Sequence, residues 1–197
     1  MCYSTQASLT AWIISVVIGI YLWNRNSKYD RWNAGFIWSF SAIQLWEAGI
    51  WSSPHNEIYL QLIMITLISQ PLLQTFGAWQ TTGSPFLKIM VGIYLFIFLY
   101  TVYRALTEKL SVSIGQSGHL VWNSDHTSFL SGGYPIISWL YLIGLVLGLL
   151  WALPTSLPLI IIGIATMLWS LSKVSSKEFG SYWCYVAVVY SIIALLN

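Results

Sequence analysis

Glu47 is the residue whose type and position demand the most explanation. It stands in the run Gln44-Leu45-Trp46-Glu47-Ala48-Gly49-Ile50-Trp51, inside an apolar stretch. An ionisable group at membrane depth costs roughly 3 kcal/mol or more and is read as functional by default. Gln44 lies three residues earlier and so shares its helical face. Such a pair suits a proton or cation site, or a polar anchor for a substrate headgroup. The plainer alternative is a carboxylate near the interface that hydrogen-bonds a neighbouring helix. A second polar set follows in Gln61, Thr66, Ser69, Gln70 and Gln74. Gln70 and Gln74 are one turn apart, and Pro71 between them removes a backbone donor. Helices interrupted in this way and lined with amides build ion and substrate sites in transporters. Kinked structural helices bridged by glutamines are the commoner case. The expectation is that Glu47, Gln44, Gln70 and Gln74 face one another across two adjacent helices.

A third constellation is Gly180-Ser181-Tyr182-Trp183-Cys184-Tyr185. At the entrance of an apolar run, Ser181, Trp183 and Cys184 could rim a cavity; an aromatic belt with close packing explains them as simply. Cys2 and Cys184 could form a disulfide if they share a side and an oxidising compartment. The histidines are His55, His119 and His126, all outside the apolar runs. With Asp30, Glu57 and Asp125 they are the candidates for metal or acid–base chemistry, but none has the spacing of a helical or knuckle zinc site. No Schiff-base lysine lies in the last apolar run, and no intramembrane histidine or serine-centred nucleophile elbow is present. The expectation is no metal, no cofactor and no catalytic residues.

The elements that must position these residues follow from composition. The chain has 197 residues, 14 of them charged, with 57% apolar, 16% aromatic and a mean hydropathy of +0.70. Soluble domains carry about a quarter charged residues. Seven per cent cannot cover a water-facing surface, and it also excludes a disordered tail or a nucleic-acid binder. A span needs roughly 20 apolar residues. Seven runs approach this: 7–23, 34–52, 58–79, 86–103, 135–152, 157–172 and 179–196. Their apolar character is continuous, not alternating, so they read as helices and not barrel strands. Many of the 12 tryptophans lie near run ends, where an indole prefers the headgroup layer. The expected fold is all-α, a single polytopic transmembrane bundle of about seven spans.

One long connection, residues 108–133, interrupts the helical pattern. Ser111-Val112-Ser113-Ile114 and His119-Leu120-Val121-Trp122 flank Gly115-Gln116-Ser117-Gly118. Two alternating segments around a Gly/Ser turn predict a β-hairpin, and an isolated hairpin is marginal, so it should rest on helix ends. Positive charge does not fix orientation. Seven spans divide Lys and Arg four against four, whereas a re-entrant third run would divide them seven against one. Seven crossings are expected because each run is long enough.

The Gln44-Leu45-Trp46-Glu47 motif together with Gly180-Ser181-Tyr182-Trp183-Cys184 resembles an uncharacterised family of small polytopic membrane proteins associated with large DNA viruses of algae and protists. The resemblance rests on these two motifs, the chain length and the span number. It implies a virion or host endomembrane location and assigns no catalytic residue. The function expected is a non-enzymatic integral membrane protein that binds or moves a small solute, ion or lipid at Glu47. The alternatives are an assembly scaffold that docks partners through its loops and, less favoured, a lipid-modifying enzyme. The expected partners are the bilayer and that ligand, with no nucleic acid.

Overall fold

Ser4 opens the first helix by accepting a hydrogen bond from the Ala7 amide at 3.3 Å, which satisfies one of the donors a helix start leaves open. Helix α1, Thr5–Arg25, ends at Asn26, whose φ of 55° is left-handed and whose N–H bonds Leu22 O. In the computed structural model the chain continues through α2 (Asp30–Ser52), α3 (Glu57–Thr82), α4 (Pro85–Thr107), strands β1 (Leu110–Ile114) and β2 (Leu120–Ser124), α5 (Pro135–Trp151), α6 (Leu157–Lys173), α7 (Phe179–Val186) and α8 (Val188–Leu196). The structure describes residues 4–54, 56–124, 135–151, 157–174, 178–186 and 188–196. The fold is an all-α bundle with one two-stranded sheet, as the continuous apolar runs predict.

Among the described residues, four helices are long and apolar enough to cross a membrane: α1, α3, α4 and the 179–196 segment. The other three expected runs are helical but fall short by different routes. Helices α5 and α6 are apolar and only 17 residues long, about 26 Å at 1.5 Å per residue against a hydrocarbon core of about 30 Å. Helix α2 has the length, but Asp30, Arg31, Asn33, Gln44 and Glu47 lower its hydropathy. Its neighbours cover four of those groups, Asp30, Asn33, Gln44 and Glu47, and leave Arg31 exposed; α2 packs against α1, α3, α7 and α8.

Helix α3 runs unbroken through Pro71 for 26 residues. The Thr75 hydroxyl donates to Pro71 O at 2.7 Å, one turn on. The run is thus one continuous helix about 39 Å long, not broken at Gln70-Pro71. Its partner α4 buries Leu87, Tyr94, Thr101 and Ala105 on a single stripe. The opposite face exposes Ile89, Phe96, Leu99 and Tyr103, an apolar surface suited to lipid and not to water.

The hairpin pairs antiparallel, from Leu110 opposite Ser124 to Ile114 opposite Leu120. Gly118 supplies the positive φ of 81° that the turn requires. The hairpin does rest on helix ends. Glu178, just ahead of α7, accepts from the Ser117 amide at 3.0 Å and the Ser117 hydroxyl at 2.6 Å. His119 meets Tyr182 edge-on at 4.8 Å, and the Trp122 ring covers Gly180 so closely that a Cβ there would stand 2.7 Å from it.

Candidate functional site

Glu47 has no exposed surface, nor has Gln44. The Gln44 amide donates to Glu47 Oε2 at 3.1 Å, the i to i+3 pairing their spacing predicts. Across the helix interface, Cys184 of α7 lies within electrostatic range of the Glu47 carboxylate. The local packing is tight because Gly49 sits under the Tyr59 ring, where a Cβ would come within 2.5 Å.

Gln70 and Gln74 are also buried, but they belong to other partners. Tyr141 of α5 donates its hydroxyl proton to Gln70 Oε1 at 2.6 Å. The Trp32 indole of α2 donates to Gln74 Oε1 at 2.9 Å. Tyr190 of α8 donates to Asn33 Oδ1 at 3.4 Å and also interacts with Gln74. The α2–α3 seam explains the division. It is pinned by Trp46 donating to Thr66 at 3.0 Å and by Trp32 donating to Gln74. The four residues are thus all interior: Gln44 pairs with Glu47, and Gln70 and Gln74 each accept from an aromatic donor.

Between these groups and the outer helices lies a cleft of about 300 Å³. Phe36 and Phe40 of α2, Leu145 and Leu149 of α5 and Ile160 of α6 form much of its wall. Gln70, Tyr141, Thr166, Trp183, Cys184 and Tyr190 supply its few polar atoms. Trp183 and Cys184 therefore line a cavity. Ser181 is buried but lies outside the lining. Cys184 carries a free thiol, and Cys2 lies outside the described residues.

His55, His126 and Asp125 also lie outside the described residues. His119 is buried in the hairpin at 1% exposure, and burial pushes its imidazole from the usual 6.5 down to about 4, against an opposing pull from Glu178. At the far end of the bundle, Asp30 precedes the second apolar run. Its hydrogen bonds from Arg25, at 2.7 and 2.8 Å, hold its carboxyl below the usual range, and the Ser27 amide adds a third at 2.8 Å. Among the described residues, no group of three or more His, Cys, Asp or Glu could hold a metal ion.

Sequence reasoning did not single out Tyr141, Trp32, Asn33, Tyr190 or Glu178. One overlooked signal was present: Gly144 and Gly148 on α5 have the small-xxx-small spacing of close helix contacts. A Cβ at Gly144 would stand 2.5 Å from Pro71 Cβ, and one at Gly148 2.8 Å from Gln74 O. These glycines bring α5 onto α3 and so bring Tyr141 to Gln70. No family model matches the chain, and no curated protein or solved structure is significantly similar to it.

Proposed function

We propose that this is a multi-pass integral membrane protein that binds a small membrane-borne ligand at a polar interior centred on Glu47. One observation carries the reading: the Glu47 carboxylate has no solvent exposure in a bundle whose outer helices expose isoleucine, leucine and phenylalanine. A buried carboxylate costs stability unless it is hydrogen-bonded or used. Gln44 provides one bond, and the free Cys184 thiol, which lines the cleft, lies within electrostatic range of Glu47.

Seven crossings fit the contacts at the two ends of the bundle. Arg25, closing α1, donates to Leu195 O near the end of α8 at 2.9 Å. The chain therefore returns to the same face after α8, which requires an even number of crossings after α1. Thr5 and Ser52 hydroxyls meet at 3.3 Å on the opposite face. A re-entrant third run would put Arg25 and Leu195 on opposite faces. The short helices α5 and α6 are accommodated by local thinning or by their flanking residues. The likeness of the Gln44–Glu47 and Gly180–Cys184 motifs to the viral polytopic family supports a viral or host endomembrane.

Two measurements test this. Glycosylation-site tags in the 108–133 connection and at the C-terminus should report opposite sides; the same side for both rejects seven crossings. In proteoliposomes, E47Q should abolish ligand binding or flux while the protein remains folded. Unchanged binding, flux and stability would remove Glu47 from any function.

A further inference from the structure

The cleft between α5 and α6 has a shape and chemistry of its own. Its mouth is framed by Trp139, Ile143 and Ile164, which are 66%, 49% and 42% exposed. These residues lie on apolar helices, so the mouth faces the bilayer sideways, not an aqueous face. At the inner wall stands Gln70, 2% exposed. Tyr141 fixes its carbonyl oxygen at 2.6 Å, which leaves its amide nitrogen as the remaining donor. That nitrogen has no hydrogen-bond partner among the described residues. A buried donor without a partner costs about 1–3 kcal/mol, a cost a ligand acceptor would remove.

We infer that the cleft holds a single fatty acyl chain that enters from the bilayer and whose carbonyl oxygen accepts a hydrogen bond from Gln70 Nε2. The inference rests on the membrane reading above and names the ligand class. A cleft of about 300 Å³ is at the small end of ligand pockets, about 300–1,000 Å³, which suits one chain and not two side by side. The wall between mouth and amide is aliphatic and aromatic, so it binds the chain through burial of apolar surface. An ion or a sugar would find almost no polar partners there. The cleft also offers a fill site: Gly163 lines it, and a Cβ at Gly163 meets no atom within 4 Å.

The test is photolabelling of the purified protein in detergent with a medium-chain fatty acid that carries a diazirine, followed by peptide mapping. The expected result is saturable labelling on α5 and α6. G163L should cut it at least tenfold without lowering the melting temperature. Q70M should weaken apparent affinity about tenfold, the worth of one hydrogen bond, and a diazirine alkane without a carbonyl should label wild type no better than the acid labels Q70M. The methyl ester of the acid separates the source: equal labelling selects an esterified chain, and weaker labelling selects the free acid. Undiminished labelling of G163L, or labelling spread evenly over all helices without saturation, overturns the proposal. So does equal affinity in Q70M. These results are independent of the tagging test, so loss of the multi-pass reading and loss of the acyl site are told apart.

Discussion

The Tyr141 hydroxyl and the Gln70 side-chain carbonyl meet at 2.6 Å beside Pro71, which joins α5 to the interior of α3. Y141F should leave the Gln70 amide without its one observed bond and lower stability by about 1–2 kcal/mol. Thermal melting of the detergent-solubilised protein measures this. Y141F with Q70L should recover part of the loss, because removing both polar partners spares the desolvation cost that removing one incurs.

Helix separation is the second expectation. G144A would drive a methyl group into Pro71, and G148A into the Gln74 carbonyl. Each should destabilise by about 1–3 kcal/mol through overpacking. G92A, where a Cβ meets nothing within 4 Å, should be neutral or slightly stabilising as a helix substitution. Equal melting temperatures for G144A and G92A would refute the close α3–α5 contact.

The hairpin predicts a pH dependence. His119 binds a proton at pH 6.5 when unfolded and only near pH 4 when folded. The unfolded state therefore holds more protons across that window, and stability must fall as pH drops from about 6.5 to about 4. The loss attributable to His119 is of order 3 kcal/mol at most. Glu178 and Tyr182 are among the groups that face it. H119Q should flatten the slope above pH 5, measured as melting temperature against pH. An unchanged slope would assign it elsewhere.

Asp30 predicts a second acid-sensitive step. Its carboxyl is held below the usual range chiefly by Arg25, so its contribution is complete above pH 4 and lost as pH falls through the lowered value. D30N should cost about 2 kcal/mol at neutral pH and remove that step. It should also loosen the 26–30 turn, which hydrogen exchange of the Ser27 amide would report.

The helices were legible because seven continuous apolar runs leave little else for the chain to form. The hairpin was legible because Ser111–Ile114 and His119–Trp122 alternate around a glycine turn. Glu47 stood out by type alone. What pairs with what was not legible. Gln70 and Gln74 share a face in sequence with Glu47 across the seam, but the seam register is set by Trp46 with Thr66 and Trp32 with Gln74, and a span pattern carries no register. Glu178, which nothing in the sequence singles out, is 2% exposed because the hairpin folds back over it. The polar groups of α2 have the same root, since Asn33, Gln44 and Glu47 are covered by protein and not by lipid, whereas α5 and α6 fall short in length alone.

The contacts of residues 178–196 carry a consequence for biosynthesis. Glu178 holds Ser117, Tyr190 reaches Asn33, and Leu195 accepts from Arg25. These segments leave the ribosome after the parts they hold. Until then the hairpin has no seat, and Arg25 lacks its distant acceptor. Chains interrupted before residue 178 would thus present an open bundle to quality-control proteases, because the contacts that close both ends of the bundle come from this one segment.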